Sequence, residues 1–472
     1  MIFSSLEFIL IFFPIVFLTY LILNKLKLTT LSKTWLVLSS LFFYSYWNIN
    51  YLPLILSSIL INFAISKVLT EYENYRGMLF SKKLILAIGI VFNLSLLGYF
   101  KYMDFFITNF NIISGSNIEL FNYALPLAIS FFTLQQIAFI VDSYENLVKE
   151  RNFINYSLFV TFFPQLIAGP IVHHKDMMPQ FDSLKKKVFD QSNLKLGFCV
   201  FSIGLFKKVI LADTFAVWSD NGFSASDTLT FLQAWTTSIS YTFQLYFDFS
   251  GYTDMAIGLA LMLNISIPHN FNSPFQATSI IDFWKRWHMT LTNFIASYIY
   301  TPLLMSFKKI TLFNAMITTF ITMQIAGIWH GAEWKYILFG TLHSSALVLN
   351  HLSKSYGFSM NKFLGWLITF IFVTITFTIF RGEDLYQSFT IISAMFDLSK
   401  SSVNIRGIEP LNFVYIIISL AFVLYAKNTL NYIKIKKFNF TFALFLFFIS
   451  LLQLNSFLIS DDNISKFIYF NF

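Results

Sequence analysis

The chain is poor in charge and nearly devoid of cysteine. Charged residues fill 12% of its 472 positions, half of the roughly 25% carried by soluble domains, which excludes an ordinary water-soluble protein. The single cysteine, Cys199, rules out a disulfide framework and any cysteine-based metal cluster, and its neighbours Phe198 and Val200 indicate plain packing. Acidic residues are also scarce: 24 stand against 32 lysines and arginines, for a net charge of +8. In a soluble protein that excess would suggest nucleic acid. In a membrane protein it reports which loops stay inside, so no nucleic-acid partner is expected. There is no heptad, solenoid period or duplicated half, which argues against a transporter built from inverted repeats.

What is present is overwhelmingly apolar. Hydrophobic residues make up 56% of the chain, 61 of them phenylalanine, and the mean hydropathy is +0.64. One core cannot hide that many apolar side chains, so much of the surface must face lipid. A crossing takes about 20 mostly apolar residues. The candidates are 5–23, 36–47, 52–66, 84–100, 123–140, 153–172, 196–211, 231–247, 255–267, 310–328, 336–349, 364–380, 411–424 and 442–452. Several are too short to cross alone. The expected fold is therefore all-α and polytopic, with about 11 transmembrane helices plus re-entrant and interfacial helices. The whole of 1–472 reads as a single integral-membrane domain, with N-terminal spans over 1–150, a core rich in polar motifs over 151–350 and C-terminal spans over 351–472. The first span has no basic flank or small-residue cleavage site, so it is expected to be retained.

Basic loops at 25–33 and 76–83 belong on the cytoplasmic side. Alternation then puts the amino terminus outside and 142–151 inside. If 153–172 crossed fully, Lys175 and the lysine run 185–187 would lie outside, against the charge rule. Pro164, Gly169 and Pro170 break this stretch, and a re-entrant segment that returns to the cytoplasm resolves the conflict.

Three clusters place polar residues inside apolar sequence, where each costs several kcal/mol unless it finds a partner or a cavity. The first is Phe163-Pro164-Gln165-Leu166-Ile167-Ala168-Gly169-Pro170, followed by His173 and His174. A proline-broken helix with two loop histidines explains it equally well, and adjacent histidines without further partners are poor metal ligands, so no metal site is expected. The second runs from Gln244 to Asp254 and on through Asn270 and Asn272. Asp248 or Ser250 is expected to cap a following helix, and Asp254 then needs a donor or water. Just downstream, Asp282 and Arg286 stand four apart and can pair on one helix face, and Trp284 shares a face with His288. A histidine between tryptophans also suits an interfacial anchor. The third cluster is Gln324-Ile325-Ala326-Gly327-Ile328-Trp329-His330-Gly331-Ala332. Its G-x-x-x-G permits close helix approach and would seat His330 at a tight contact. A buried neutral imidazole is a natural general base, and a packed histidine without chemistry is the competing reading.

Taken in order, FFPQLIAGPI, YFDFSGYTDMAIGLA, NFNSPF, DFWKRWHMTLT and GIWHGAEW resemble the membrane-bound O-acyltransferase family, in its bacterial branch of alginate and peptidoglycan O-acetyltransferase membrane subunits. The resemblance implies that His330 is the active-site histidine of the W-H-G motif and His288 the second histidine, in R-W-H. It implies an acyltransferase of the bacterial cytoplasmic (inner) membrane. That enzyme would take an acyl group, acetyl by expectation, from a cytoplasmic thioester such as acetyl-CoA and move it across for O-acetylation of a cell-envelope polysaccharide, peptidoglycan or an alginate-like exopolysaccharide. The thioester is a donor substrate, and no bound cofactor is implied. A periplasmic SGNH-type partner would complete the transfer. His330 would act as base or carry the acyl group covalently. His288, Asn270 and Asn272 would position the donor or stabilise charge, with Asp248, Trp284, Arg286 and Trp329 as further substrate contacts. Close alginate-type relatives carry an Arg-Asp where this chain has Ala296 and Ser297 before Tyr298-Ile299-Tyr300, which favours peptidoglycan over alginate. A polytopic transporter, or a lipid-linked-sugar glycosyltransferase using Asp248 and Arg286, is the rival reading.

Overall fold

The computed structural model describes residues 1–74, 80–149, 152–183, 188–400, 410–425, 428–429, 431, 439–459 and 467–468. Every regular element among them is helical. Five runs are long and apolar enough to cross a bilayer: Phe8–Lys25, Ile49–Thr70, Lys82–Ser114, Leu312–His330 and Lys362–Arg381. Their outward residues, such as Leu10, Ile11, Phe106, Ile113 and Phe313, are exposed apolar side chains that only lipid can cover favourably. Inside, one hydrophobic cluster joins residues from Phe3 to Phe467. Tyr252 lies between these two ends, stacked 4.7 Å from Phe3 and 4.5 Å from Phe467.

Helix bounds differ from the hydropathy reading where polar residues interrupt an apolar run. The stretches 231–247 and 255–267 are one 32-residue helix, Phe231–Met262. Asp248, Ser250 and Asp254 therefore lie mid-helix and cap nothing, a correction to the expected break. The helical run beginning at Lys82 passes residue 100 and continues to Ser114, whereas the helix expected from 123 starts only at Ile129.

The Phe231–Met262 helix is held by the helix Gln191–Phe206 through two glycine pairs. A Cβ on Gly197 would lie 2.6 Å from the Gly258 carbonyl oxygen, and one on Gly204 would lie 2.6 Å from the Gly251 carbonyl oxygen. Spaced seven apart on both helices, these glycines let the backbones touch.

The stretch 153–172 is broken as expected. Helix Phe153–Thr161 ends at Phe162, a four-residue helix Phe163–Leu166 carries Pro164 in its first turn, and a third helix runs His174–Asp182. All residues from 155 to 172 are buried. The Asn155 amide donates to Asp182 Oδ2 at 2.6 Å, and Lys33 Nζ reaches Asp182 Oδ1 at 2.6 Å. The segment thus returns to the place it left, as a re-entrant element does. The lysine run 185–187 lies outside the described residues.

Replacing Gly251 with Leu should destabilise the protein by 3 kcal/mol or more, at or above the upper end of the roughly 1–3 kcal/mol range for overpacking, because the opposing atoms are backbone; detergent thermal-shift measurements would detect it. With Cys199 replaced, single cysteines at Lys27, Glu145 and Lys175 should share one fate towards an impermeant thiol reagent in intact cells. Labelling of Lys175 alone would refute the re-entrant path.

Candidate active site

Helix Leu312–His330 starts at Thr311, whose hydroxyl accepts the Asn314 amide at 3.2 Å, and it stops at Gly331 in extended backbone. The returning helix Trp334–Ser355 packs on it at Gly327, where a Cβ would lie 2.6 Å from the Tyr336 carbonyl oxygen. Gly331 plays a different part from the one expected. It is past the helix end, and a Cβ there would lie 2.1 Å from the Tyr336 ring. The tight turn buries His330 beside the rings of Trp329, Phe380 and Phe339, at 5.0, 5.2 and 6.1 Å between centroids.

His288 reaches the same place from another element. It adopts a left-handed conformation, φ +44°, at the start of helix Met289–Ile295, so it shares no helix face with Trp284, whose helix ends there. Two backbone bonds pin the turn: Asn272 N–H to Arg286 O and Met289 N–H to Asn270 O, both 2.9 Å. Asn270 Oδ1 accepts from Thr290 N–H at 3.2 Å, from the Thr290 hydroxyl at 2.9 Å and from His288 Nδ1 at 3.1 Å. A backbone N–H only donates, so the atom it meets must be the amide oxygen, and the histidine proton therefore sits on Nδ1. In the neutral ring the lone pair is then on Nε2. The Thr290 hydroxyl in turn accepts the Ile171 N–H at 3.0 Å, which ties the re-entrant segment to the orientation of His288. Trp329 lies between the two histidines, 6.3 Å from the His288 ring and 5.0 Å from that of His330. Asn270 Nδ2 is buried with no partner among the described residues.

A second polar group lies where the re-entrant segment ends. Asp142 Oδ2 accepts from His174 Nε2 at 2.8 Å and from the Tyr298 hydroxyl at 2.9 Å, and His173 Nδ1 stands 3.3 Å from that hydroxyl. The Tyr298 hydroxyl gives its proton to Asp142, so its oxygen accepts from His173 Nδ1, and burial, with Lys175 acting the same way, holds His173 below its ordinary pKa. These residues line a cavity of about 620 Å³ together with Glu145, Lys149, Lys175 and Ser297.

Residues 17–382 match the model of the membrane-bound O-acyltransferase family. The chain belongs to that family. It is 44% identical over 436 residues to the peptidoglycan O-acetyltransferase of Helicobacter pylori, covering 85% of this chain and 81% of the relative. To the protein named "Probable alginate O-acetylase AlgI" of Pseudomonas aeruginosa it is 34% identical over 434 residues, 89% of this chain and 81% of the relative. To the teichoic acid D-alanyltransferase of Bacillus subtilis it is 28% identical over 279 residues, 55% of this chain and 70% of the relative. It is thus an acyltransferase, and a multi-pass protein of the bacterial inner membrane.

In this membrane-bound O-acyltransferase several suspected substrate contacts have structural partners. Asp248 is buried against Lys208 at 2.9 Å and accepts the Ile468 N–H at 2.8 Å. Asp254 is held by Lys207 at 2.7 Å and the Thr429 hydroxyl at 2.8 Å. Arg286 pairs with Asp282 at 2.9 Å, as the spacing implied. Trp284 Nε1 donates to His343 Nδ1 at 3.2 Å, which leaves the ring proton on Nε2 to be given to Thr376 at 3.0 Å. Asn272 meets Arg286 through its backbone. The sequence reading overlooked Lys101 and the Asp142 cluster. Lys101 carried a usable signal, a cation inside an apolar run, but it fell one residue past the assumed end of its span. Asp142 had none, since its partners lie 32 and 156 residues away.

Asp248→Ala should cost about 3–5 kcal/mol in stability, the range for stranding one member of a buried pair, with the donor KM of the surviving protein unchanged. Thermal unfolding and steady-state kinetics on the same preparation separate the two effects.

Proposed function

We propose that this enzyme takes acetyl from acetyl-CoA at the cytoplasmic face and passes it across the membrane for O-acetylation of peptidoglycan, the last transfer being made by a periplasmic SGNH-type partner. The observation that carries this reading is the meeting of three groups from separate elements in one buried site: His330, an oriented His288 and the Asn270 amide. Thioesters are activated, so the protein's tasks are to orient the acceptor, remove its proton and stabilise the tetrahedral oxyanion. In this first transfer the acceptor is a hydroxyl of the periplasmic partner, and His330 takes its proton. As the oxygen attacks the thioester carbonyl, negative charge collects on the carbonyl oxygen, and Asn270 Nδ2 is the buried donor available to it. Collapse expels the thiolate, which regains a proton from the imidazolium. His288, its tautomer set by Asn270, supports the site through Nε2.

Peptidoglycan is favoured by the 44% identity to a relative of that name, against 34% for the alginate O-acetylase. The departure at Ala296 and Ser297 carries less weight for the acceptor, because Ser297 and Tyr298 line the cavity at the Asp142 end. That end holds the loops expected inside, and we assign the cavity to the polar portion of the donor.

Purified protein given labelled acetyl-CoA should release free coenzyme A or acquire label, whereas a transporter would do neither. His330→Ala should lose about 100- to 10,000-fold in rate, the span of general-base effects, with membrane insertion intact. Activity near wild type would sink the assignment. His288→Ala should be impaired less, and equal losses would make the histidines a catalytic pair.

A further inference from the structure

Among the described residues, the four buried lysines each meet a carboxylate: Lys33 with Asp182, Lys207 with Asp254, Lys208 with Asp213 and Asp248, and Lys335 with Glu333. Lys101 is different. It lies half-buried within an apolar run long enough to span the membrane, and no acid partners it among the described residues. Its ammonium donates instead to the Trp329 carbonyl oxygen at 2.7 Å and to the Ser130 hydroxyl at 3.0 Å. Its neighbour does the same, the Tyr102 hydroxyl donating to the Ile328 carbonyl oxygen at 2.8 Å. Both residues end a π-helical turn, Gly98–Tyr102, a feature that recurs at functional sites in helices.

The two carbonyls are consecutive and belong to the last turn of the helix that ends at His330. Helix ends leave their final carbonyls without intrahelical donors and gather partial negative charge there, which a cation satisfies. Ser130 completes the clamp from the other side: its carbonyl accepts Trp329 Nε1 at 3.4 Å, and the Lys101 ammonium stands 5.8 Å from the Trp329 ring centroid. Trp329 is thus held at its carbonyl, its indole nitrogen and its ring, immediately before His330.

We propose that Lys101 is a positioning residue for acyl transfer, fixing the last turn of the Leu312–His330 helix through the Trp329 carbonyl so that the His330 imidazole meets the acceptor hydroxyl at the required distance. The inference rests on the reading of His330 as the base. A neutral side chain of similar length would still fill the space but would leave a buried carbonyl unsatisfied and the final turn free to shift.

The test uses the full-length protein in lipid nanodiscs, with release of free coenzyme A from acetyl-CoA as the readout and folded protein measured by thermal shift. Lys101→Met should lower kcat by about 100-fold, the loss expected for a displacement on the order of 1 Å, with the donor KM within about twofold. Lys101→Arg should restore most of kcat, because a guanidinium can reach the same carbonyl. Tyr102→Phe should show a smaller loss in the same direction. The proposal is overturned if Lys101→Met keeps wild-type kcat, if its loss merely follows the fraction of folded protein, or if KM rises while kcat holds, which would make Lys101 a substrate contact. His330→Ala run alongside keeps the readings apart. If that variant is active, the base assignment fails; if it is dead while Lys101→Met is normal, only this inference fails.

Discussion

A polar group inside a lipid-solvated bundle must find its partner within the protein, because hydrocarbon offers none and each unsatisfied group costs several kcal/mol. That constraint organises this fold. Lys207 and Lys208 follow the helix Gln191–Phe206 in a π-helical turn, and their ammonium groups meet Asp254 and Asp248 on the helix Phe231–Met262. Without those lysines, two carboxylates in the middle of a buried helix would be untenable. With them, the helix continues unbroken through the Tyr246–Asp254 motif and supplies a rigid wall for the site. The glycine pairs at 197/258 and 204/251 belong to the same arrangement, since they let the backbones close in enough for the charges to meet.

The same rule shapes the surroundings of the two histidines. The re-entrant segment exposes backbone amides that a regular helix would satisfy internally, and one of them, Ile171 N–H, is satisfied by Thr290, two residues from His288. The hydrogen bonds running from Ile171 through Thr290 and Asn270 to His288 connect the broken segment, the NFN loop and the R-W-H turn in one line. A disturbance of the break is therefore felt at the imidazole. His330 is held in another way, by the end of its own helix, and depends on side chains from a span more than 200 residues earlier.

Acyl transfer is favoured by a site that is polar but dry. Aromatic rings pack around both histidines, and a fixed donor in such low-dielectric surroundings is worth more than it would be in water. The Asp142, His174 and Tyr298 group stands where the re-entrant segment ends, and the same segment reaches His288 through Thr290.

The sequence by itself determined the solvent, the helical class and the family. Hydropathy is a sum over local composition, and His330, His288 and Asn270 sit in short motifs whose residue types are legible without a fold. The break at Pro164 and Gly169 was legible for the same reason, because a missing amide and a missing Cβ act locally. Tertiary structure decided everything that rests on a partner far along the chain. Asp248 reads locally as a cap and becomes half of an ion pair only when Lys208, 40 residues away, is packed beside it. Gly331 reads as part of a helix contact until Tyr336 folds back over it. Lys101 is merely an awkward cation in an apolar run until the helix ending at His330 offers its carbonyls, for electrostatic and hydrogen-bonding energies depend on distance in space, which one-dimensional order does not set.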